Sequence, residues 1–510
     1  MKFYMKLSHF SSYSQFNTTY NQLITHFNYE QNVVSWSNND NVECVLGATL
    51  LQLPYRFSKL GVIVGSAYFC FAAVYSFWSF RLVTKVCGEA KTYSVRSMLM
   101  RTCGKWTTLM IDISTVGMYF GGACSYCIIG ADYIHSSFNW IAKVSPCVEP
   151  IVFDDLLCNT YEQCLHSSKN TSTYCILIVG LGIFLLESLI SQIQILSYMS
   201  SCAIVCVIFT VVCLSIRVVQ ALTTNSLPFS PTWIKPVPVI PVKPELSHIL
   251  IDLPSFFGLF SLQAFIPPYY AELKMSENGK QQFIKRASDT TVFVVAFIYY
   301  LTAFLGPLIF NGKNQPMLFQ SDNILNNFGA NDTLMAVVRI LYTVVVLICF
   351  PLVLFTLRSS LCAWIGIDRT QGGKQKFYYY LCGISVCVLV TVLAVLVPSI
   401  SVIMDLFGAV FGCILFQLMP LLLNMNKHKA NAESDEEVLV PEGEIGQYSK
   451  LPEQEQSEIK KSNMIKESSK TEKIINWVVF YSLIVVNIIS FVYSIVNMFT
   501  KKKASSVCDQ

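Results

Sequence analysis

Phe256-Phe257-Gly258-Leu259-Phe260-Ser261-Leu262-Gln263-Ala264-Phe265-Ile266-Pro267-Pro268-Tyr269-Tyr270 is an apolar run that carries its own interruption. Each proline removes a backbone donor, and glycine permits angles outside the helical range. In lipid a freed backbone group must find a partner or line a cavity. The same device occurs upstream in Gly47-Ala48-Thr49-Leu50-Leu51-Gln52-Leu53-Pro54-Tyr55. The two stretches fall in the first and sixth apolar spans of the chain, at corresponding positions of spans 1–5 and 6–10. Breaks placed in this way are the mark of an inverted-repeat transporter, whose substrate site lies at mid-membrane.

Composition supports a membrane setting. Of 510 residues, 53% are hydrophobic and 13% charged, with 35 Phe, 25 Tyr and 19 Cys, against roughly 25% charged in a soluble protein. Mean hydropathy is +0.50. This excludes a soluble enzyme, a disordered chain and a nucleic-acid binder, and a formal charge of +4 is too small and scattered for a phosphate-binding surface. A bilayer core about 30 Å thick needs roughly 20 apolar residues per helix. Eleven spans are predicted, at 41–58, 61–86, 106–134, 173–187, 194–220, 247–269, 290–310, 333–357, 377–397, 402–424 and 474–498. The runs are continuous rather than alternating, so they are helices and not barrel strands. The organisation expected is a tail at 1–40, a ten-helix core at 41–424, a charged linker at 425–473 that includes the acidic Glu433–Glu437 stretch, an eleventh span at 474–498 and a tail at 499–510. Residues 1–40 hold no continuous apolar core, so the first span is expected to act as the insertion signal.

Orientation follows from Lys and Arg. With the N-terminus in the cytoplasm, 24 of the 36 fall inside, ten outside and two within spans. The linker is then cytoplasmic and the C-terminus outside, although Lys501–Lys503 argues mildly against the latter. Two sequons, at Asn170 and Asn331, fall in outer loops and are glycosylation candidates, while a third at Asn17 falls inside. Cys147, Cys158 and Cys164 share an outer loop, where two of the three could pair. The cysteines within spans, including the Cys124 and Cys127 pair, read as small packing residues. No spacing suggests a metal or a cofactor, and neither a Gly-x-Ser-x-Gly elbow nor a His-Glu-x-x-His pair points to an enzyme. Arg339 reads as a snorkelling residue at the outer end of span 8.

Several motifs stand in one order along residues 41–424: Gly47 to Leu53-Pro54-Tyr55-Arg56-Phe57; Thr92-Tyr93-Ser94 with Asp112; Pro268-Tyr269-Tyr270-Ala271-Glu272; Val338-Arg339 through Phe350-Pro351 to Leu357-Arg358; and Pro398-Ser399-Ile400-Ser401-Val402 with Gly408 to Gly412. Together they resemble the amino acid/auxin permease family, in particular its neutral amino acid branch. The resemblance implies an all-α, LeuT-like 5+5 inverted repeat with broken helices 1 and 6, and transport of amino acids, often driven by sodium or protons. The sequence departs from the family where coupling is concerned. Glu43 stands where relatives often have Asn, Gly47-Ala48-Thr49 replaces Gly-x-Gly, Gln263 takes the place of a His, and Leu347 and Cys349 align with span 8 Thr residues of sodium-coupled members. Hydroxyl and amide oxygens suit sodium, whereas Leu and Cys do not. Proton coupling or exchange is therefore favoured over sodium.

On this reading the amides of Gly47, Ala48, Thr49 and Leu50 hold the substrate carboxylate. Carbonyls of Phe260, Ser261, Leu262 and Gln263 hold its amine, with Gln263 tuning side-chain preference. Tyr119 and Thr343 could line the cavity or could serve the core or the lipid face. Glu43 is the candidate coupling carboxylate, unless it sits solvated beside Asp40. Asp405 could be a gate on span 10 or an interfacial residue. The partners expected are an amino acid and membrane lipid, without nucleic acid, at a plasma or vacuolar/lysosomal membrane. The alternative is a sensor that binds amino acids and signals through its cytoplasmic segments.

Overall fold

Gly61 stands at φ 73° and ψ 155° in the computed structural model, a region that side chains rarely enter. It divides the helical stretch Thr49–Ala90 into span 1, which contains Pro54, and span 2. The structure describes residues 49–91, 94–142, 171–188, 193–224, 246–260, 263–264, 266–273, 276–310, 322–328, 332–367, 373–397, 400–427 and 470–500. Among them there is no strand, and eight helices are long and apolar enough to cross a membrane. Spans 3, 5, 7, 8, 9 and 11 are the helices Lys105–Ala142, Ile193–Thr224, Glu277–Phe310, Thr333–Ile365, Gly373–Leu396 and Lys470–Thr500. Span 4 is the shorter Thr171–Glu187.

Span 6 is broken as the sequence requires. Leu246–Phe257 tightens into a 3-10 turn at Gly258–Phe260, Gln263 and Ala264 form a turn, and helix resumes at Ile266–Glu272. Span 10 departs from expectation in another way. Between Ile400–Phe407 and Met419–Asn426 it widens into a π-helix over Gly408–Leu418, and span 4 does the same over Ile178–Phe184. Such windings cluster at functional places in helices, and no pattern of apolar residues announces them.

Span 7 lies along the Thr49–Ala90 stretch, and span 8 packs between spans 3 and 5. Phe184 stacks on Phe350 with ring centroids 3.5 Å apart, joining span 4 to span 8. Cysteines fill close contacts, as the sequence suggests. The Cys124 thiol faces the Val390 carbonyl at 3.7 Å and the Cys127 thiol the Ile176 carbonyl at 3.9 Å, so the two turn to different spans.

Polar contacts at the two ends of the bundle respect the alternation of spans. At the end that the charge rule assigns to the outside, Tyr133 and Asn323 bond, Asn326 donates to Asp132 at 3.1 Å, and Arg217 pairs with Asp332, whose carboxylate also caps span 8. On the inner side Arg81 pairs with Asp289 at 2.7 Å, Arg96 with Asp112 at 3.5 Å, and Arg358 donates to the Ser188 carbonyl at 2.6 Å. Each contact joins ends that the charge rule puts on one face. Arg339 corrects the sequence reading. It does not snorkel but is 1% exposed, and it donates to the carbonyls of Leu325 and Phe328 at 2.7–3.2 Å. It thereby satisfies the end of the 3-10 turn Ile324–Asn327.

Candidate functional site

Thr49 and Phe260 come from the two interrupted stretches and meet at one residue. The Thr49 and Tyr299 hydroxyls share a hydrogen bond of 3.0 Å, and the Tyr299 ring lies 6.3 Å from that of Phe260. The start of the described part of span 1 and the break in span 6 are therefore neighbours in space although some 200 residues separate them. Leu50 is fully buried on span 1. Gln263 is fully buried in the turn of span 6, and neither its amide nitrogen nor its amide oxygen has a partner among the described residues. A buried amide left in this state wants a ligand, water or ion.

Above the break in span 6 lies a narrow cleft of about 20 Å³, room for a water molecule, formed by spans 1, 3, 6 and 10. Thr49, Gln52 and Arg56 line one side, Met118 a second, and Gly258 and Leu259 with Gly408 and Gly412 much of the rest.

 The roof of the cleft is ionic. Arg56 donates to Asp252 of span 6 and to Asp405 of span 10, both at 2.6 Å, and more weakly to the Gln52 amide oxygen at 3.5 Å. Ser255 adds a hydrogen bond to Asp405 at 3.0 Å. Arg56 and Asp252 are both almost wholly buried. One guanidinium thus ties together spans 1, 6 and 10 at the top of the cleft. The paired carboxylates compensate a charge that would be costly to bury alone.

The residues singled out from sequence are distributed as follows. Thr49 and Phe260 meet around Tyr299, with Leu50 beside Thr49 on span 1 and Gln263 buried in the turn of span 6. Tyr119 is buried on span 3 beside Met118 of the cleft wall. Thr343 is not brought to the cleft, and its hydroxyl donates to the Arg339 carbonyl of its own helix at 2.9 Å. Glu43, Gly47, Ala48, Ser261, Leu262, Asn170, Asn331, Cys147, Cys158 and Cys164 lie outside the described residues. Asp405 accepts hydrogen bonds from Arg56 and Ser255 at the top of the cleft. Arg56, Asp252, Gln52 and Ser255 were not recognised as functional, because nothing local in the sequence signals a pairing across 196 or 349 positions.

Residues 41–442 match the family model described as transmembrane amino acid transporter protein. Among curated relatives, a sodium-coupled neutral amino acid symporter 2 from Danio rerio is 23% identical over 74% of this chain and 72% of its own length. Solute carrier family 38 member 10 from Mus musculus is 19% identical over 78% of this chain, but the match spans only 34% of that protein. Among solved structures, a manganese transporter from Eremococcus coleocola bound to an aromatic bis-isothiourea compound aligns over 92% of this chain and 89% of its own, with 11% identity and a TM-score of 0.54. A variant of the same transporter gives 0.56 over 94% and 90%. At that identity the likeness concerns the fold alone, which is the all-helical, LeuT-like arrangement expected from the sequence. The relatives are transporters and not enzymes, and the chain is a multi-pass membrane protein.

Proposed function

Because the chain belongs to the transmembrane amino acid transporter family, we propose that it moves neutral amino acids across its membrane by alternating access, with coupling to protons or exchange rather than to sodium. The observation that carries this reading is the Arg56 bridge to Asp252 and Asp405 above the break in span 6. A site reached from one side must be closed from the other, and a three-way ionic lock on spans 1, 6 and 10 is such a closure. The substrate carboxylate would lie on backbone amides of residues 47–50, where freed N–H groups favour an anion. The ammonium group would lie on carbonyls of residues 260–263, with the Gln263 amide within the same turn. Release of Asp405 by Arg56 would let the outer halves part.

The coupling preference rests on side chains. Leu347 and Cys349 stand where sodium-coupled members carry Thr, and the Cys349 thiol bonds with the Tyr126 hydroxyl of span 3. Glu43 would carry the proton. Purified protein in liposomes, given labelled neutral amino acids while the pH and sodium gradients are varied separately, tests the reading. Uptake should rise with an inward proton gradient or with internal amino acid, and should persist when sodium is replaced by potassium. Glu43→Gln should abolish the response to pH while leaving exchange. Sodium-dependent uptake would overturn the coupling assignment. Binding with no flux of any common amino acid would overturn transport and favour a sensor.

A further inference from the structure

Cys362 of span 8 and Cys382 of span 9 face one another, and their thiols share a hydrogen bond. Both are free. Cys362 is buried one turn before the end of span 8, where its carbonyl accepts the backbone N–H groups of Gly366 and Ile367. The helix cap therefore fixes its backbone. Cys382 is only partly buried, between the exposed Leu381 and the buried Gly383. The charge rule places this end of the bundle in the cytoplasm.

The helices are held close here by one large side chain and one missing one. A methyl group built on Gly383 would come within 3.2 Å of the Arg358 Cδ. Arg358 lies over the Tyr379 ring at 4.2 Å and donates to the Ser188 carbonyl at 2.6 Å. Spans 4, 8 and 9 are thus pinned one helical turn from the two sulfurs. Other buried thiols of the same region are turned elsewhere. Cys387 faces the Phe184 carbonyl at 3.7 Å, and Cys124 and Cys127 face the carbonyls of Val390 and Ile176.

We propose that Cys362 and Cys382 form an oxidisable dithiol, a modification site that a peroxide closes to a disulfide and a small thiol reopens. In a compartment that keeps thiols reduced, such a bond is transient and sensing rather than structural. Cys382 is the more accessible sulfur and meets the oxidant. Its thiolate attacks one peroxide oxygen, the O–O bond breaks, and Cys382 becomes a sulfenic acid. With hydrogen peroxide the leaving hydroxide takes up the thiol proton and departs as water. The Cys362 sulfur then attacks that of Cys382, the S–O bond breaks, and a second water leaves. Two thiols have lost two electrons and two protons, and the peroxide has been reduced to two waters. Thiol–disulfide exchange with a glutathione-type thiol restores the pair.

The test exposes the full chain in liposomes to hydrogen peroxide or, separately, to phenylarsine oxide, which bridges two adjacent thiols. Peptide mass spectrometry without reduction should show the peptides of Cys362 and Cys382 joined and two hydrogens lighter after peroxide. Dithiothreitol should reverse this, and Cys124, Cys127 and Cys387 should stay reduced. Phenylarsine oxide should shield both cysteines from alkylation and block the peroxide reaction. Cys362→Ser and Cys382→Ser should each abolish both products, and the wild-type measurements stand if either variant does not fold. Two outcomes would overturn the proposal: both thiols remaining free at a dose that oxidises other cysteines of the chain, or either one pairing elsewhere. Oxidation of Cys382 to a sulfinic acid while Cys362 stays a thiol would do the same. Flux plays no part in the readout, so the result is independent of the transport reading.

Discussion

Arg56 is held by two carboxylates from two other spans, and its loss would leave Asp252 and Asp405 facing one another. Breaking a buried pair in this way typically costs about 3–5 kcal/mol. Arg56→Gln should therefore favour the outward-open form, by roughly a hundredfold in the ratio of states if about 3 kcal/mol is lost. A Ser255→Cys substitution reports on this, since its thiol should react faster with a membrane-impermeant reagent in the Arg56→Gln background, as read by mass spectrometry of the peptide. An unchanged rate would mean that the bridge does not hold the outer side closed. At this scale the sequence was informative only where the signal is local. Gly258, Pro267 and Pro268 announce a break because each acts on its own backbone. Arg56 announces nothing, because its partners are supplied by the fold. Arg339 misled for a related reason: a cation near a span end looks wet until the 3-10 turn that covers it is seen.

Two elements depend on single residues in ways that can be measured. The turn between spans 1 and 2 places Gly61 at φ 73° and ψ 155°, and a side chain there carries strain on the order of 1–3 kcal/mol. Gly61→Val should lower the melting temperature in detergent, whereas a glycine-to-alanine change at Gly182, which sits in helix with nothing within 4 Å of an added methyl, should not. The 3-10 turn Ile324–Asn327 is fastened to span 8 by Arg339. Arg339→Leu strips the carbonyls of Leu325 and Phe328 of that donor, at about 1–3 kcal/mol for each group left unsatisfied. Faster hydrogen exchange confined to residues 322–328 is the expected signature, and protection equal to that of the wild type would refute it. The spans themselves were legible from hydropathy because lipid forces backbone bonds to close within each helix. The π-helical stretches in spans 4 and 10 were not, since an extra residue per turn leaves apolar composition unchanged.

For the molecule as a whole, the charge rule and the structure agree on which span ends share a face, from Arg217 and Asp332 outside to Arg96 and Asp112 inside. The charge rule then predicts a lumenal or extracellular place for the sequons at Asn170 and Asn331. Changing both to Gln should remove the mass lost on treatment with an N-glycosidase, and changing Asn17 should have no effect. A shift that depends on Asn17 would invert the topology. Span 11 packs on spans 6 and 10, and its side-chain hydrogen bonds reach span 10. Asn487 donates to the Gln417 side chain at 2.9 Å, Asn424 donates to Glu472 at 3.0 Å, and the Tyr75 hydroxyl of span 2 donates to the Gln417 backbone carbonyl. These bonds sit on the helix that contributes Asp405 to the Arg56 bridge, so on the proposed alternating-access cycle span 11 is harnessed to span 10. A dye or spin label near residue 497 would ride along, giving a spectroscopic trace of each turnover from a position remote from the cargo.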